Sequence, residues 1–295
     1  MNPSGLARMR VVGKALAGLD PKTHNAMVAA LSKRAAPYER WGPNLSPYPD
    51  VVRARIDALQ TGDLVLCSSG AGKWVGNAIQ VLTDSTWNHV AMVVRGHMTF
   101  DEEIDQAPHG DDIARHSDVK RFAKHRNRSP YHFHVEVDEG TCGTPHLLEA
   151  SGEGVHIYPN IHDRLLSSQA YEEYTTVAVR ALTGIDEWKT PEHATRLEEW
   201  IAKVRGTEFE QEAPLHALFT ADAGDLDSMH CAEMTTATLQ HMGLLSSRLV
   251  AGTAPPCAYA DAPHGSVRLK EGQLGPLEIL KAAEPPLEEA IAKYA

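Results

Sequence analysis

Trp87-Asn88-His89-Val90-Ala91-Met92-Val93-Val94 is the stretch from which the rest of the chain can be read. The apolar run from Val90 to Val94 is rich in β-branched residues and too short for a helix of its own, so it predicts a buried strand. His89 stands at the mouth of that strand, where its ring can turn into a cleft while Val90, Met92 and Val94 serve the core. Its counterpart lies 142 residues later, in Met229-His230-Cys231-Ala232-Glu233-Met234, which sets Cys231 at the first turn of a helix. A cysteine attacks only as thiolate, and a helix N-terminus and a nearby imidazole both lower a thiol pKa into the useful range. Taken alone, such a histidine is more often structural and a free cysteine more often a buried inert thiol. Together, and with His230 and Glu233 as company in place of apolar neighbours, they read as base and nucleophile.

Working outward, Thr61-Gly62-Asp63-Leu64-Val65-Leu66 is a turn feeding a short strand. Residues 73–82 place Trp74, Ala78, Ile79 and Leu82 on one helical face, ended by Asp84-Ser85. Strands are expected at 132–137, 146–150, 154–158 and 175–180. A helix is expected over 192–204, with Ala194, Leu197, Ile201 and Val204 on its apolar face. A second runs from about Cys231 to Met242 and stops at Gly243. Residues 97–145 read as a histidine-rich insertion, whose part 101–130 is charged, poor in apolar residues and placed on the surface. The expected organisation is a basic N-terminal helical arm and linker at 1–60, a domain at 61–250, and a proline-rich, mostly irregular tail with a short helix at 251–295.

A nucleophile and base need a third group to orient the imidazole. Glu149 is the candidate, because in Leu147-Leu148-Glu149-Ala150 it interrupts an apolar strand. The competing reading is a carboxylate on the solvent face of an edge strand. His146 and His134 are weaker substitutes. Cys67 and Cys142 are weaker nucleophiles, Cys67 because it follows a strand with no base nearby in sequence. Residues 70–73 (GAGK) fail the phosphate-loop pattern, since Cys67 and Trp74 stand where glycine and serine or threonine are required. His132 and His134 share a strand face, but two histidines without a third ligand make a weak zinc signal. No metal and no cofactor is expected.

These segments, with Gly206-Thr207-Glu208-Phe209-Glu210 between the last strands and Cys231, resemble the successive motifs of the circularly permuted papain-fold enzymes. This is the NlpC-type superfamily, in the branch of YiiX-like amidases and lecithin retinol acyltransferase-like proteins. The resemblance covers roughly 61–245 and is carried by five short motifs in order. It implies an α+β, permuted papain-like fold with a small antiparallel sheet packed on helices. It also implies His89 as base, Glu149 as third member and Cys231 as nucleophile of a thiol hydrolase or acyltransferase acting on an amide, ester or thioester. Ala232 stands where a serine is common. The long histidine-rich stretch leaves substrate choice open.

Composition sets the outer bounds. At 295 residues and 42% apolar, the chain can bury a substantial core. Four dispersed cysteines without a signal peptide argue for a reduced, cytoplasmic protein. Residues 1–60 hold nine basic and four acidic residues, a balance of +5, so 61–295 carries −16 of the chain's net −11. An acidic body argues against nucleic acid and for a small-molecule, lipid or peptide acyl substrate. Leu6, Met9, Val12, Leu16 and Leu19 recur at helical spacing among basic residues. That arm can pack on the domain, contact a membrane peripherally or act as a mitochondrial presequence. The alternative of another class is a non-catalytic lipid- or partner-binding protein that keeps the fold.

Overall fold

The computed structural model describes residues 50–69, 79–80, 83–100, 131–136, 143–151, 154–159, 161–166, 174–185, 190–209, 228–261 and 265–281. The N-terminal arm, the GAGK stretch, most of the 73–82 helix, the 101–130 segment and Cys142 lie outside them.

The architecture is α+β, built on a seven-stranded sheet. Its strands are β1 (Leu64–Ser69), β2 (His89–Phe100), β3 (Tyr131–Val135), β4 (Thr144–Ser151), β5 (Gly154–Tyr158), β6 (Tyr174–Arg180) and a late edge strand, Glu278–Lys281. The order runs from that edge strand through β6, β1, β2 and β4 to β5, with β3 on the far half of β2. Every pairing in this sheet is antiparallel.

The VAMVV run explains the layers. Val90, Met92 and Val94 join one apolar cluster, while Ala91 and Val93 join a second on the opposite face. A strand buried on both faces has no polar side to present, which is why the run is continuous rather than alternating. The first face is covered by α3 (Pro191–Val204) and α4 (Cys231–His241), which contribute Leu197, Ile201, Met234 and Leu239. The second is covered by α1 (Asp50–Asp57) and α2 (Ile161–Leu166), through Ile56, Ile161 and Leu165. Burying each such side chain stabilises the fold by roughly 1.5–3 kcal/mol.

The Gly62-Asp63 pair is structural. Gly62 takes φ 92° to turn the chain into β1, a conformation that other residues adopt only under strain. The Asp63 carboxylate accepts from Gln60 N and Leu182 N, each at 2.9 Å, tying the turn to the chain two residues past β6. At the other end of the body, Gly243 takes φ 80° beyond α4, the expected C-terminal signal.

Within the 97–145 stretch, residues 97–100, 131–135 and 144–145 lie in β2, β3 and β4, and the β2–β3 pairing runs from Gly96 opposite Val135 to Phe100 opposite Tyr131. The tail contributes to both the core and the sheet. Ala254 and Cys257 to Ala260 sit in the first cluster, and Glu278–Lys281 supplies the edge partner that β6 needs. Pro256 opens the 3-10 turn Pro256–Tyr259, a second such turn spans Ala251–Thr253, and neither excludes a strand further on.

Candidate active site

His89 is the first residue of β2 and Cys231 the first of α4, with His230 as the helix N-cap. Glu149 lies in β4, fully buried at 0% exposure, between Leu148 and Ala150, which face the first cluster. By strand alternation its side chain therefore enters the opposite face. The reading of Glu149 as a solvated edge-strand carboxylate is thus overturned, for β4 is flanked by β2 and β5.

His89 Nε2–H donates to Glu149 Oε2 at 2.9 Å. A carboxylate only accepts, so this bond fixes the tautomer and leaves Nδ1 for the thiol. Burial alone would pull the imidazole down, but the charge and hydrogen bond of Cys231 and the contact with Glu149 raise His89 to about 9. Burial likewise opposes the thiolate of Cys231. The His89 charge first, and then the neighbouring His230 and His89 imidazoles, together bring it down to about 5. The two shifts are one phenomenon, a buried thiolate–imidazolium pair.

Four contacts surround the Glu149 carboxylate. Arg164 Nε, from α2, donates to Oε1 at 2.7 Å, and His156 Nε2 lies 3.5 Å from the same oxygen. Tyr174 OH donates to Oε2 at 3.3 Å and accepts from Arg164 Nη2 at 2.9 Å. With His89, that occupies the roughly four acceptor sites a carboxylate offers. Burial would raise this acid, yet the Arg164 guanidinium and then the His156 and His89 hydrogen bonds hold it well below the usual carboxylate range. Tyr174 also stacks on the His89 ring, with centroids 5.5 Å apart at 20°.

On the other side of the thiol, His230 accepts from Glu233 N at 3.4 Å and donates through Nε2 to Gly252 O at 3.3 Å. Burial depresses its imidazole, and the hydrogen bond and charge of Cys231 more than reverse this, so it is raised. The helix N-terminus adds a favourable field for the anion.

The other candidates are engaged elsewhere. His146 Nδ1 donates to Thr144 O at 2.7 Å, and His134 pairs with Thr99 at 2.9 Å. Cys67 lies within β1, not in a loop after it, and its Cα faces that of His89 in the register. A base is therefore close in space where none is close in sequence. Burial first, and the Glu149 charge second, nevertheless push the Cys67 thiol well above its ordinary value. Among the described residues no three His, Cys, Asp or Glu side chains gather as a metal site. No helix among them is long and apolar enough to cross a membrane.

Sequence reading missed Arg164, Tyr174 and His156. His156 carried the same signal as Glu149, a titratable group inside an apolar strand (Gly154-Val155-His156-Ile157-Tyr158). Arg164 and Tyr174 carried none. Comparison with protein-family models and with curated proteins finds no match to this chain.

Proposed function

We propose that this protein is a cysteine-dependent hydrolase or acyltransferase acting on an amide, ester or thioester, with a permuted papain-like fold. The observation that carries the reading is the convergence of His89, Glu149 and Cys231 from β2, β4 and α4, with the imidazole held by the carboxylate at 2.9 Å.

In this reading the Cys231 thiolate attacks the substrate carbonyl carbon and the carbonyl π pair moves onto oxygen. The resulting oxyanion forms at the N-terminus of α4, where the helix dipole and the Cys231 N–H favour negative charge. The tetrahedral species collapses, expelling the leaving amine, alcohol or thiol, which takes the proton from His89 Nδ1. The acyl group is then a thioester on Cys231. Neutral His89 next removes a proton from water or from an acceptor amine or alcohol, and that nucleophile releases Cys231 as thiolate. Glu149 holds the ring through both halves and stabilises its charged form.

The test is a screen of acyl-amide, acyl-ester and acyl-thioester substrates against wild type and Cys231→Ala. Turnover that disappears in Cys231→Ala, while the melting temperature moves by only a few degrees, supports the reading. Turnover retained in that variant removes it.

A further inference from the structure

We propose that Arg164 is a positioning residue for the nucleophile: acting through Glu149, it supplies the positive charge that keeps Cys231 a thiolate. This rests on the cysteine-enzyme reading above and adds to it a group that a nucleophile, base and orienter do not require.

Arg164, Glu149, His89 and Cys231 form a row across the sheet, from α2 through β4 and β2 to α4. The links are Arg164 Nε to Glu149 Oε1 at 2.7 Å, Glu149 Oε2 to His89 Nε2 at 2.9 Å, and the electrostatic attraction between His89 and Cys231. Arg164 is 8% exposed, Glu149 0% and Cys231 4%. Charges alternate along the row, positive, negative, positive, negative. Arg164 does not spend both arms of its fork on Glu149. One arm holds Tyr174 OH, which returns the contact to Glu149 Oε2 and sits under the His89 ring.

In a buried row, water does not compensate a charge that is removed. Replacing Arg164 by a neutral residue leaves the row one charge more negative. It recovers most cheaply by binding a proton, either at Glu149 or at Cys231. The ordinary value is 4.5 for the carboxyl and 9.0 for the thiol, and both groups are buried, so the thiolate is the stronger base and takes the proton. Removing Glu149's charge has the opposite sign: the row becomes more positive and the thiolate is favoured. Glu149→Gln therefore damages ring orientation while sparing the thiolate, whereas Arg164→Gln loses the thiolate itself.

The other titratable groups facing the row are His156 on β5, Tyr174 on β6, Cys67 on β1, Lys281 on the last strand, and His230 with Glu233 on α4. Tyr174 and Cys67 are both held in their neutral forms by burial. All are unchanged in the variants, so differences between variants report Arg164 and Glu149.

The experiment is a titration of thiolate absorbance in the ultraviolet, each protein read against its own Cys231→Ala partner, with circular dichroism as the folding check. The wild-type midpoint should lie near 5. Arg164→Gln should raise it by about one unit or more, and Arg164→Lys, which keeps the charge, should stay within about half a unit of wild type. Glu149→Gln should lie at or below wild type, and the double variant Arg164→Gln with Glu149→Gln should return to it. A folded Arg164→Gln with the wild-type midpoint overturns the proposal, as does a Glu149→Gln midpoint raised as far as Arg164→Gln. If Arg164→Gln does not fold, the charge-balanced double variant decides, and a midpoint more than about one unit above wild type overturns the proposal. A wild-type midpoint near the ordinary 9.0 removes the cysteine-enzyme reading itself, which distinguishes the two failures.

Discussion

On the proposed reading, the position of one proton between Cys231 and His89 governs the chemistry. The thiol is depressed to about 5 and the imidazole raised to about 9, so the reactive thiolate–imidazolium form fills as pH rises through the first value and empties as it passes the second. The rate against pH is therefore expected to be bell-shaped with limbs near those values; a flat profile across pH 5–9 edges, or a single rise near the ordinary thiol value, contradicts it. Glu149→Gln should lose stability, because buried Arg164 is left without its carboxylate, and should lose roughly 10- to 1000-fold in rate, less than removal of the nucleophile, with its alkaline limb displaced downward because the imidazolium loses its carboxylate. Steady-state kinetics across pH checks both parts, and full activity in that variant would reassign the third role. Sequence reading could reach His89, Cys231 and Glu149 because each breaks a local pattern: a polar residue at a strand mouth, a thiol at a helix start, an acid in an apolar strand. Arg164 could not be reached that way. In Ile161-His162-Asp163-Arg164-Leu165-Leu166 it reads as the polar face of a short amphipathic helix, and only the tertiary packing of that helix turns it inward.

α4 poses a problem at the level of the element, since most of its length is buried although its middle is Thr235-Thr236-Ala237-Thr238. The hydroxyls solve it locally by donating to carbonyls one turn back: Thr235 to Cys231 O at 3.0 Å, Thr236 to Ala232 O at 2.6 Å and Thr238 to Met234 O at 2.8 Å. Such back-bonding satisfies a buried hydroxyl at a small cost to the helix. Two tertiary partners then use the same oxygens, Trp200 Nε1 on Thr238 at 2.9 Å and Tyr259 OH on Thr236. Thr236→Val orphans the fully buried Tyr259 hydroxyl, whereas Tyr259→Phe leaves Thr236 with its carbonyl. Urea denaturation should therefore show Thr236→Val costing about 1–3 kcal/mol and Tyr259→Phe about 1 kcal/mol or less. Equal losses, or the reverse order, would contradict this account of the helix. The helix itself was legible from its start signal and Gly243. The strand Glu278–Lys281 was not, because it is four residues long, follows a proline-dense stretch and is specified by the open edge of β6 rather than by its own pattern.

Over the whole molecule, the sheet separates two apolar clusters, and the candidate site is where groups from both sides meet. α4 delivers Cys231 from the side of the first cluster, and α2 delivers Arg164 from the side of the second. Leu165, fully buried beside Arg164, anchors α2 to that second cluster. Leu165→Ala should cost about 2–5 kcal/mol in denaturation and also slow turnover by loosening Arg164. A stability loss of that size with unchanged turnover would uncouple α2 from the site. The central claim, that Cys231 is a nucleophile held as thiolate by His89, is tested most directly by alkylating wild type and His89→Ala with iodoacetamide from pH 4 to 10 and quantifying modified Cys231 by mass spectrometry. The expected wild-type rate rises with a midpoint near 5 and then levels, and loss of the imidazole moves that midpoint upward toward the ordinary 9.0. A wild-type Cys231 that reacts only with a midpoint near 9.0, or one whose midpoint is the same without His89, would contradict the claim.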